Sequence, residues 1–270
     1  MVPPAAPEVQ PVITLKNAEE IAVMRTASRI VAEVLEELTA AAVPGVSTLE
    51  LDRLAEELTL KKGARPAFKG YKPHDVEYRH SLCVSINSEI VHGIPRAGRK
   101  LKVGDIVGLD FGVVYHGFYG DAARTLAIGK VSEGAHRLME ATRQALYDGI
   151  AQARAGNRIS DIAQAVQRTA EAAGFSVVTD FAGHGIGRRL HEDPQVPNYF
   201  RRGMPNPRLQ EGMVLAIEPM VNEGTPELEI LDDGWTAVTA DGKLSAHFEH
   251  SIAITASGPE ILSELGNVQG

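Results

Sequence analysis

Five acidic or imidazole side chains stand inside segments that are otherwise apolar and typical of β-strands. A carboxylate in a buried strand is costly unless a cation neutralises it, and no Lys or Arg lies directly beside any of these residues. One such residue alone is explained more simply by a structural ion pair. Together they predict a metal site, and the candidate ligands are Asp110, Asp121, His184, Glu218 and Glu249.

The spacing of these residues supports the metal site. Asp110 and Asp121 flank a turn near His116, and in an antiparallel hairpin centred between Tyr115 and His116 they would face each other on one side of the sheet. Two like charges in that position require a bridging cation. His184 lies between two glycines, which allow the backbone to approach a crowded site. Four carboxylates and one imidazole are too acidic a set for a closed structural zinc site and suit a pair of first-row divalent ions.

Two similar helix pairs must position these strands. The first pair is predicted from two capping-box patterns, Asn17–Glu20 and Ser47–Glu50, and from the stop signals Pro44-Gly45 and Gly63. The same pattern recurs 111 residues later, with a helix over about 133–155 and a second helix that ends at Gly174. We favour an internal duplication, with a chance likeness of two helix–turn–helix units as the alternative.

Strand-like segments follow each helix pair. Because helices alternate with hairpins rather than with single strands, the fold class is predicted as mixed α/β (α+β) with an antiparallel-rich sheet. The cleft between two similar halves is the expected place for a ligand. The predicted strands are Leu82–Ile86, Ile106–Tyr115, Phe118–Ile128, Phe175–Phe181, Met213–Asn222 and Ser251–Thr255.

Composition limits the class of protein. The 270 residues suffice for one large domain or two modest ones, and the net charge of −8 disfavours general nucleic-acid binding. Cys83 is the only cysteine, so no intramolecular disulfide can form and a reducing compartment is expected. No apolar run reaches the ~18–20 residues that span a bilayer, and the first residues lack the pattern of a secretory signal. We expect a cytoplasmic protein with a disordered or loosely draped arm over 1–13 and a single domain over 14–270.

Several strings in the sequence closely resemble the type I methionyl aminopeptidases of peptidase family M24. They are VSINSEIVHGIP, LDFG through YGDAART, GHGIGRRLHEDPQVPNY, VLAIEPMVN and FEHSIAIT, and the resemblance runs from about Thr14 to Ile261. It implies the pita-bread fold, in which two related halves surround a dimetal cleft, and two divalent ions as cofactors (Co, Mn, Fe or Zn). The five candidate ligands above correspond to the family's ligands.

The resemblance also implies catalytic roles. His92 and His191 correspond to two catalytic histidines outside the metal sphere, and Glu218 to a ligand that doubles as the general base. His191 would hydrogen-bond the scissile carbonyl oxygen, and His92 would contact the scissile amide nitrogen or assist proton delivery. Taken alone, His92 could merely cap a turn and His191 could be a solvated loop residue.

A methionine pocket is implied around Cys83 and Trp235, with His92 and His191 also contacting substrate. Phe68, Tyr71 and Phe181 are further pocket candidates, for which ordinary core packing is the alternative. The remaining histidines have no motif support and are interpreted as surface or packing residues: His74, His80, His116, His136, His247 and His250.

The implied substrate is a nascent polypeptide N-terminus that begins with methionine followed by a small residue. The resemblance also implies that the protein is a monomer and that the ribosome is a candidate partner. It implies no specific nucleic acid and no membrane as partner.

The charged segment Lys72–Leu82 is longer than the usual family loop, which leaves the preference for the second substrate residue open. Only 27 residues separate His191 from Glu218, which favours type I over type II. The rivals are a proline-specific peptidase of the same fold, which usually carries an additional N-terminal domain, and a non-catalytic binding protein, which typically loses ligands.

Overall fold

The computed structural model describes residues 12–73 and 76–265, and both predicted helix pairs are present. The predicted capping boxes form at both helices of the first pair: Asn17 and Ser47 accept from the backbone N–H of Glu20 and Glu50, whose carboxylates accept in return. The helices are α1 (Ala18–Ala41), α2 (Thr48–Lys61), α3 (Glu133–Gln152) and α4 (Ile159–Ala172).

The second helix pair repeats the backbone geometry of the first. The Ala64 N–H donates to the Thr59 carbonyl, and 111 residues later the Phe175 N–H donates to the Ala170 carbonyl. The glycines that precede the second helix of each pair, Gly45 and Gly156, both have φ near +95° (95° and 94°). These recurring turns support the duplication that the sequence indicates.

In the described residues, fifteen strands connect and follow the helices. They are β1 (Arg65–Pro66), β2 (Cys83–Ile86), β3 (Glu89–Val91), β4 (Ile106–Tyr115), β5 (Phe118–Ala127), β6 (Ser176–Val177), β7 (Ala182–Gly185), β8 (Glu192–Pro197), β9 (Val214–Ile217), β10 (Met220–Asn222), β11 (Leu228–Ile230), β12 (Ala237–Thr239), β13 (Ser245–His247), β14 (Glu249–Thr255) and β15 (Gly258–Ile261).

A nine-stranded antiparallel sheet joins the two halves. Its main path runs β1-β4-β5-β14-β9-β7-β8, with β2 paired to β4 and β15 to β14. Strands β4 and β5 therefore continue directly into β14 and β9 of the second half. The first helix pair buries Leu35 and Leu38 against this sheet, and the second pair buries Ile162 against strand β9. The helices thus cover the sheet in two packed regions, as the mixed α/β prediction requires.

Two predicted strands are interrupted. The segment Phe175–Phe181 forms a strand only over Ser176–Val177. The segment Met213–Asn222 is divided into β9 and β10 because Pro219 lacks the N–H that a continuous strand would need. This interruption leaves Glu218 between two strands rather than within one.

The predicted disordered arm is only partly described. Residues 1–11 lie outside the described residues. Val12 is exposed, but its N–H donates to Asp193 Oδ2 at 3.1 Å, and Ile13 contacts the core of the second half. The arm over 1–13 stays a prediction, and these two contacts are compatible with an arm that is loosely draped along the protein.

Candidate metal centre

The two aspartates come from one long regular hairpin, but in a register that differs from the sequence prediction. Tyr115 pairs with Phe118, so that the turn is His116–Gly117 and Asp110 faces Ala123 rather than Asp121. His116 and Gly117 both have positive φ, 48° and 79°, as a two-residue hairpin turn of this kind requires. The aspartates are diagonal neighbours on the same face of the sheet, which still brings both carboxylates to one side.

His184 reaches the same site from strand β7. A Cβ at Gly183 would overlap the carbonyl oxygen of Ala216, and a Cβ at Gly185 would overlap that of Asp193, so the two flanking glycines permit a close approach, as predicted. The His184 Nδ1 donates to the Gly185 carbonyl oxygen at 2.9 Å. In the neutral ring this leaves Nε2 with a free lone pair, which is the form that ligates metals.

Asp121, His184 and Glu249 converge on one point. One ligand atom of each lies within 4.8 Å of the others, and all three residues are buried. Asp121 Oδ1 and Glu249 Oε1 are buried without a hydrogen-bond partner. Glu218 joins them through Oε1, which lies 3.5 Å from His184 Nε2. Within the described part of the chain, no Lys or Arg forms an ion pair with Asp110 or with these three carboxylates.

Burial dominates the pKa values of the acids in this site, because no Lys or Arg among the described residues neutralises them. Burial, followed by the charge of Glu218, raises the pKa of Asp110 to about 7, although His247 opposes the shift. Burial raises the pKa of Glu218 to about 8. The pKa values of Asp121 and Glu249 are raised well above their usual range, again chiefly by burial and then by their acidic neighbours. Oxygen donors with one imidazole nitrogen suit a first-row divalent ion, so these residues fit a metal.

The two other predicted histidines lie at the rim of this group. The His191 ring is 4.2 Å from the His184 ring between centroids, and its Nδ1 lies 2.6 Å from the Tyr71 hydroxyl. His92 packs edge-on against Phe181 and Trp235, at centroid distances of 5.5 and 6.0 Å. Burial lowers the pKa of His92 to about 4 and that of His184 to about 3, so both rings are neutral near pH 7. Burial also lowers the pKa of His191.

A single cavity of about 680 Å³ brings all the predicted site residues together. One wall is acidic and imidazole-rich, and the other is mainly apolar and aromatic, so the cavity offers an apolar side chain a place beside the metal ligands. Its lining includes Phe68, Tyr71, Cys83, His92, Asp110, Asp121, Phe181, His184, His191, Glu218, Trp235 and Glu249.

Sequence reasoning missed two residues at this site. His247, interpreted as a surface or packing residue, is buried and places Nε2 3.7 Å from Glu218 Oε2. Its position two residues before Glu249, in the alternation of a strand, was the available signal. Tyr78, in the charged segment Lys72–Leu82, is buried against Trp235 and lines the cavity. Nothing in the composition of that segment distinguished this tyrosine.

The other histidines lie away from the site where they are described. His80 bonds to Asp52 and His250 to Ser263, while His116 and His136 are exposed. His74 lies outside the described residues.

The match to known proteins covers nearly the whole chain. Residues 22–256 match the model of metallopeptidase family M24. The chain belongs to metallopeptidase family M24. It is 52% identical over 251 residues to a methionine aminopeptidase of Clostridium perfringens, covering 93% of this chain and 98% of the relative. It is 49% identical to methionine aminopeptidase 1 of Bacillus subtilis, covering 94% and 100% of the two chains.

Solved structures agree with this assignment. A methionine aminopeptidase of Thermotoga maritima superimposes with a TM-score of 0.90 at 45% identity, covering 94% of this chain and all of that one. A prolidase of Pyrococcus furiosus shares the fold, with a TM-score of 0.74 at 22% identity, and the match covers only 66% of its length. The predicted pita-bread fold and the resemblance to methionyl aminopeptidases are thus confirmed, and the chain is a metal-dependent peptidase. None of the described helices combines the length and apolar character needed to cross a membrane.

Proposed function

We propose that the cavity hydrolyses the peptide bond that follows an N-terminal methionine, with a preference for a small second residue. The observation that carries this proposal is the convergence of Asp121, His184 and Glu249 without a neutralising side chain, beside an apolar wall of the same cavity. The methionine aminopeptidases at about half sequence identity give the substrate class.

Five residues would hold two divalent ions, of which Co, Mn, Fe and Zn are the candidates. Four carboxylates around one imidazole exceed what a single ion requires, which supports a pair. Divalent ions in such a site lower the pKa of bound water toward about 7 and polarise a substrate carbonyl. The proposed ligands are Asp110, Asp121, His184, Glu218 and Glu249.

Three side chains would act on the substrate directly. Glu218 would accept the proton of the attacking water at a carboxylate oxygen. His191 would donate Nε2–H to the scissile carbonyl oxygen as negative charge develops; the tautomer in which the Tyr71 hydroxyl donates to Nδ1 provides that proton. His92, whose neutral ring packs against Phe181 and Trp235, would contact the scissile amide nitrogen.

The methionine side chain would occupy the apolar wall. Cys83 offers a polarizable sulfur, buried beside Phe68 in one apolar cluster to which Tyr71 and Trp235 also belong. Phe181 adds a further aromatic surface that packs against His92. A flexible thioether fits such a pocket through contacts of sulfur with aromatic rings.

The wider setting follows from the substrate. We infer that residues 14–270 act as one catalytic domain, which the shared nine-stranded sheet supports. The substrates would be the N-termini of nascent polypeptides in the cytoplasm. The protein would act as a monomer, with the ribosome as the candidate partner. Neither a nucleic acid nor a membrane is required by this activity.

A peptide assay tests the proposal and separates it from its rivals. The purified chain is incubated with Met-Ala-Ser, Met-Leu-Ser and an Ala-Pro tripeptide, each with Co²⁺ or Mn²⁺ and each with a chelator. We expect methionine release from Met-Ala-Ser, little from Met-Leu-Ser, and none once the metal is removed. Cleavage of the Ala-Pro peptide alone would instead indicate a proline-specific peptidase, and cleavage of no peptide a binding protein.

A further inference from the structure

His247 is held rigidly behind the candidate metal centre. Its side chain is buried, with 3% of the residue exposed. Its backbone is fixed on both sides by one hydroxyl, because the His247 N–H donates to Thr125 Oγ1 at 2.9 Å and that hydroxyl donates to the His247 carbonyl oxygen at 2.8 Å. Strand β13 also pairs His247 with Met220, two residues beyond Glu218. The backbone that carries the imidazole is therefore fixed in position beside Glu218.

The His247 Nε2 atom has no hydrogen-bond partner, and a carboxylate oxygen of Glu218 lies within 4.0 Å of it. It lies 3.7 Å from Glu218 Oε2 and is fully enclosed. The other oxygen of the same carboxylate, Oε1, lies 3.5 Å from His184 Nε2. Glu218 thus stands between two imidazoles, each facing one of its oxygens.

The two imidazoles differ in what they can offer Glu218. His184 donates through Nδ1 to a backbone carbonyl, so its Nε2 in the neutral ring presents a lone pair and cannot donate. An N–H at His247 Nε2 would have Glu218 Oε2 as its acceptor, and a lone pair there would face a carboxylate. A buried polar atom without a partner is costly, and a movement of less than ~1 Å would bring the pair to hydrogen-bond distance.

We propose that His247 is a positioning residue: it donates Nε2–H to Glu218 Oε2 and holds Glu218 Oε1 toward His184 and the divalent ion. The proposal rests on the proposed role of Glu218 as a metal ligand. Outer hydrogen bonds of this kind orient a ligating carboxylate, and their loss typically weakens metal binding ~10–100-fold.

Two substitutions at one position separate positioning from packing. His247→Gln keeps an N–H donor of similar reach, whereas His247→Leu keeps the apolar volume and removes the donor. His250→Gln is the matched control, because His250 is another histidine near Glu249 whose Nδ1 pairs with Ser263 Oγ outside the cavity. Mn²⁺ affinity is measured by titration calorimetry on each chelator-treated variant, together with kcat and KM for Met-Ala-Ser.

We expect His247→Leu to bind Mn²⁺ ~10–100-fold more weakly and to lose kcat rather than gain KM, whereas the Gln variant and the His250 control stay close to the original protein. Unchanged Mn²⁺ affinity in His247→Leu, or an equal loss in His247→Gln, would overturn the proposal. Near-ultraviolet circular dichroism checks folding, and His247→Met replaces the Leu variant if that fails to fold. Because calorimetry needs no peptide, it decides the role of His247 even if no peptide is cleaved.

Discussion

Buried acid side chains occur both outside and inside the cleft, and their partners differ. Outside the cleft, Asp52 accepts from the backbone N–H groups of Ser81 and Leu82 and bonds to His80, and at a separate place Glu192 forms an ion pair with Lys16 at 2.7 Å. In the cleft, oxygens of Asp121 and Glu249 have no partner at all. We refer to Asp52 and Glu192 as the paired acids, and to Asp110, Asp121, Glu218 and Glu249 as the cleft acids.

The difference teaches that burial of an acid does not by itself mark a functional site. Burial raises the pKa of Glu192, but hydrogen bonds from Lys16 and from the Arg189 backbone outweigh that effect and bring it below the usual value. At the cleft acids burial outweighs the opposing effects, and their pKa values rise. A protein retains uncompensated buried acids at a cost in stability, and that cost is explained if a ligand supplies the missing charge.

The largest expected effect comes from substituting a cleft acid. Asp121→Asn should lower kcat/KM for Met-Ala-Ser by ~10³-fold or more, because a lost ligand removes several kcal/mol of metal-derived stabilisation of the transition state. Metal content by elemental analysis should fall with it. The metal-free variant should be at least as stable as the original protein, since a neutral amide costs less to bury than an unpaired carboxylate. Full metal occupancy in Asp121→Asn would remove Asp121 from the ligand set.

Removing the cation of a paired acid should have the opposite effect on stability. Lys16→Met leaves Glu192 buried without its cation and should lower the free energy of unfolding by about 3–5 kcal/mol. Urea unfolding of the chelator-treated protein measures this. The double variant Lys16→Met/Glu192→Gln is the control, because it removes both charges and should recover part of the loss. No loss in Lys16→Met would contradict the distinction between the paired acids and the cleft acids.

A third substitution tests whether turnover requires residues of the cleft other than the metal ligands. His191→Ala should retain the metal content of the original protein and lose turnover by ~10²–10³-fold, the usual effect of removing a donor to a developing oxyanion. Elemental analysis and kcat on the same preparation check both parts. Tyr71→Phe is the matched variant, since it removes only the hydroxyl 2.6 Å from His191 Nδ1. Intact turnover in His191→Ala would exclude His191 from the reaction.

The parts of the fold that could be predicted are those whose signals are local. Both capping boxes of the first helix pair and the turn glycines repeated after 111 residues lie within a few residues of what they determine. The hairpin register was wrong by two residues, with Asp110 opposite Ala123 instead of Asp121, because the sequence does not say which pair of residues takes positive φ; the structure places that pair at His116–Gly117.

The candidate site could be predicted where polar residues stand in apolar strands, and not where the environment decides. His247 stands two residues before Glu249 in the sequence, but only the pairing of β13 with β10 brings it to Glu218. Asp52 is as buried as a cleft acid, but its hydrogen bonds to the segment around Ser81 mark it as structural only once the chain is folded. The surroundings of His247 and Asp52 are set by contacts between residues far apart in the sequence.

The smallest expected effect is the change in the free energy of unfolding for each pH unit and each extra proton. This dependence of stability on pH again distinguishes the cleft acids from the paired acids. Cleft acids have folded pKa values above their unfolded values, near 7 for Asp110 and 8 for Glu218. Between about pH 4 and these values the folded protein binds more protons than the unfolded chain, so the free energy of unfolding falls as pH rises. The loss approaches about 1.4 kcal/mol per pH unit for each extra proton bound. Glu192 has a lowered pKa and shifts stability in the opposite sense, gaining it as pH rises through the acid range.

The measurement is a series of thermal unfolding curves of the chelator-treated protein between pH 5 and pH 8, with Asp121→Asn as the matched variant. We expect the melting temperature to fall across this range, to fall less in the variant, and to fall least when Mn²⁺ is present. Saturation with the ion requires deprotonated ligands, so the folded state no longer holds the extra protons and the slope decreases. A melting temperature that rises from pH 5 to pH 8 in the metal-free protein would show that the cleft acids are ionised there without a cation. In that case they would belong with the paired acids, and the contrast between the two groups of acids would fail.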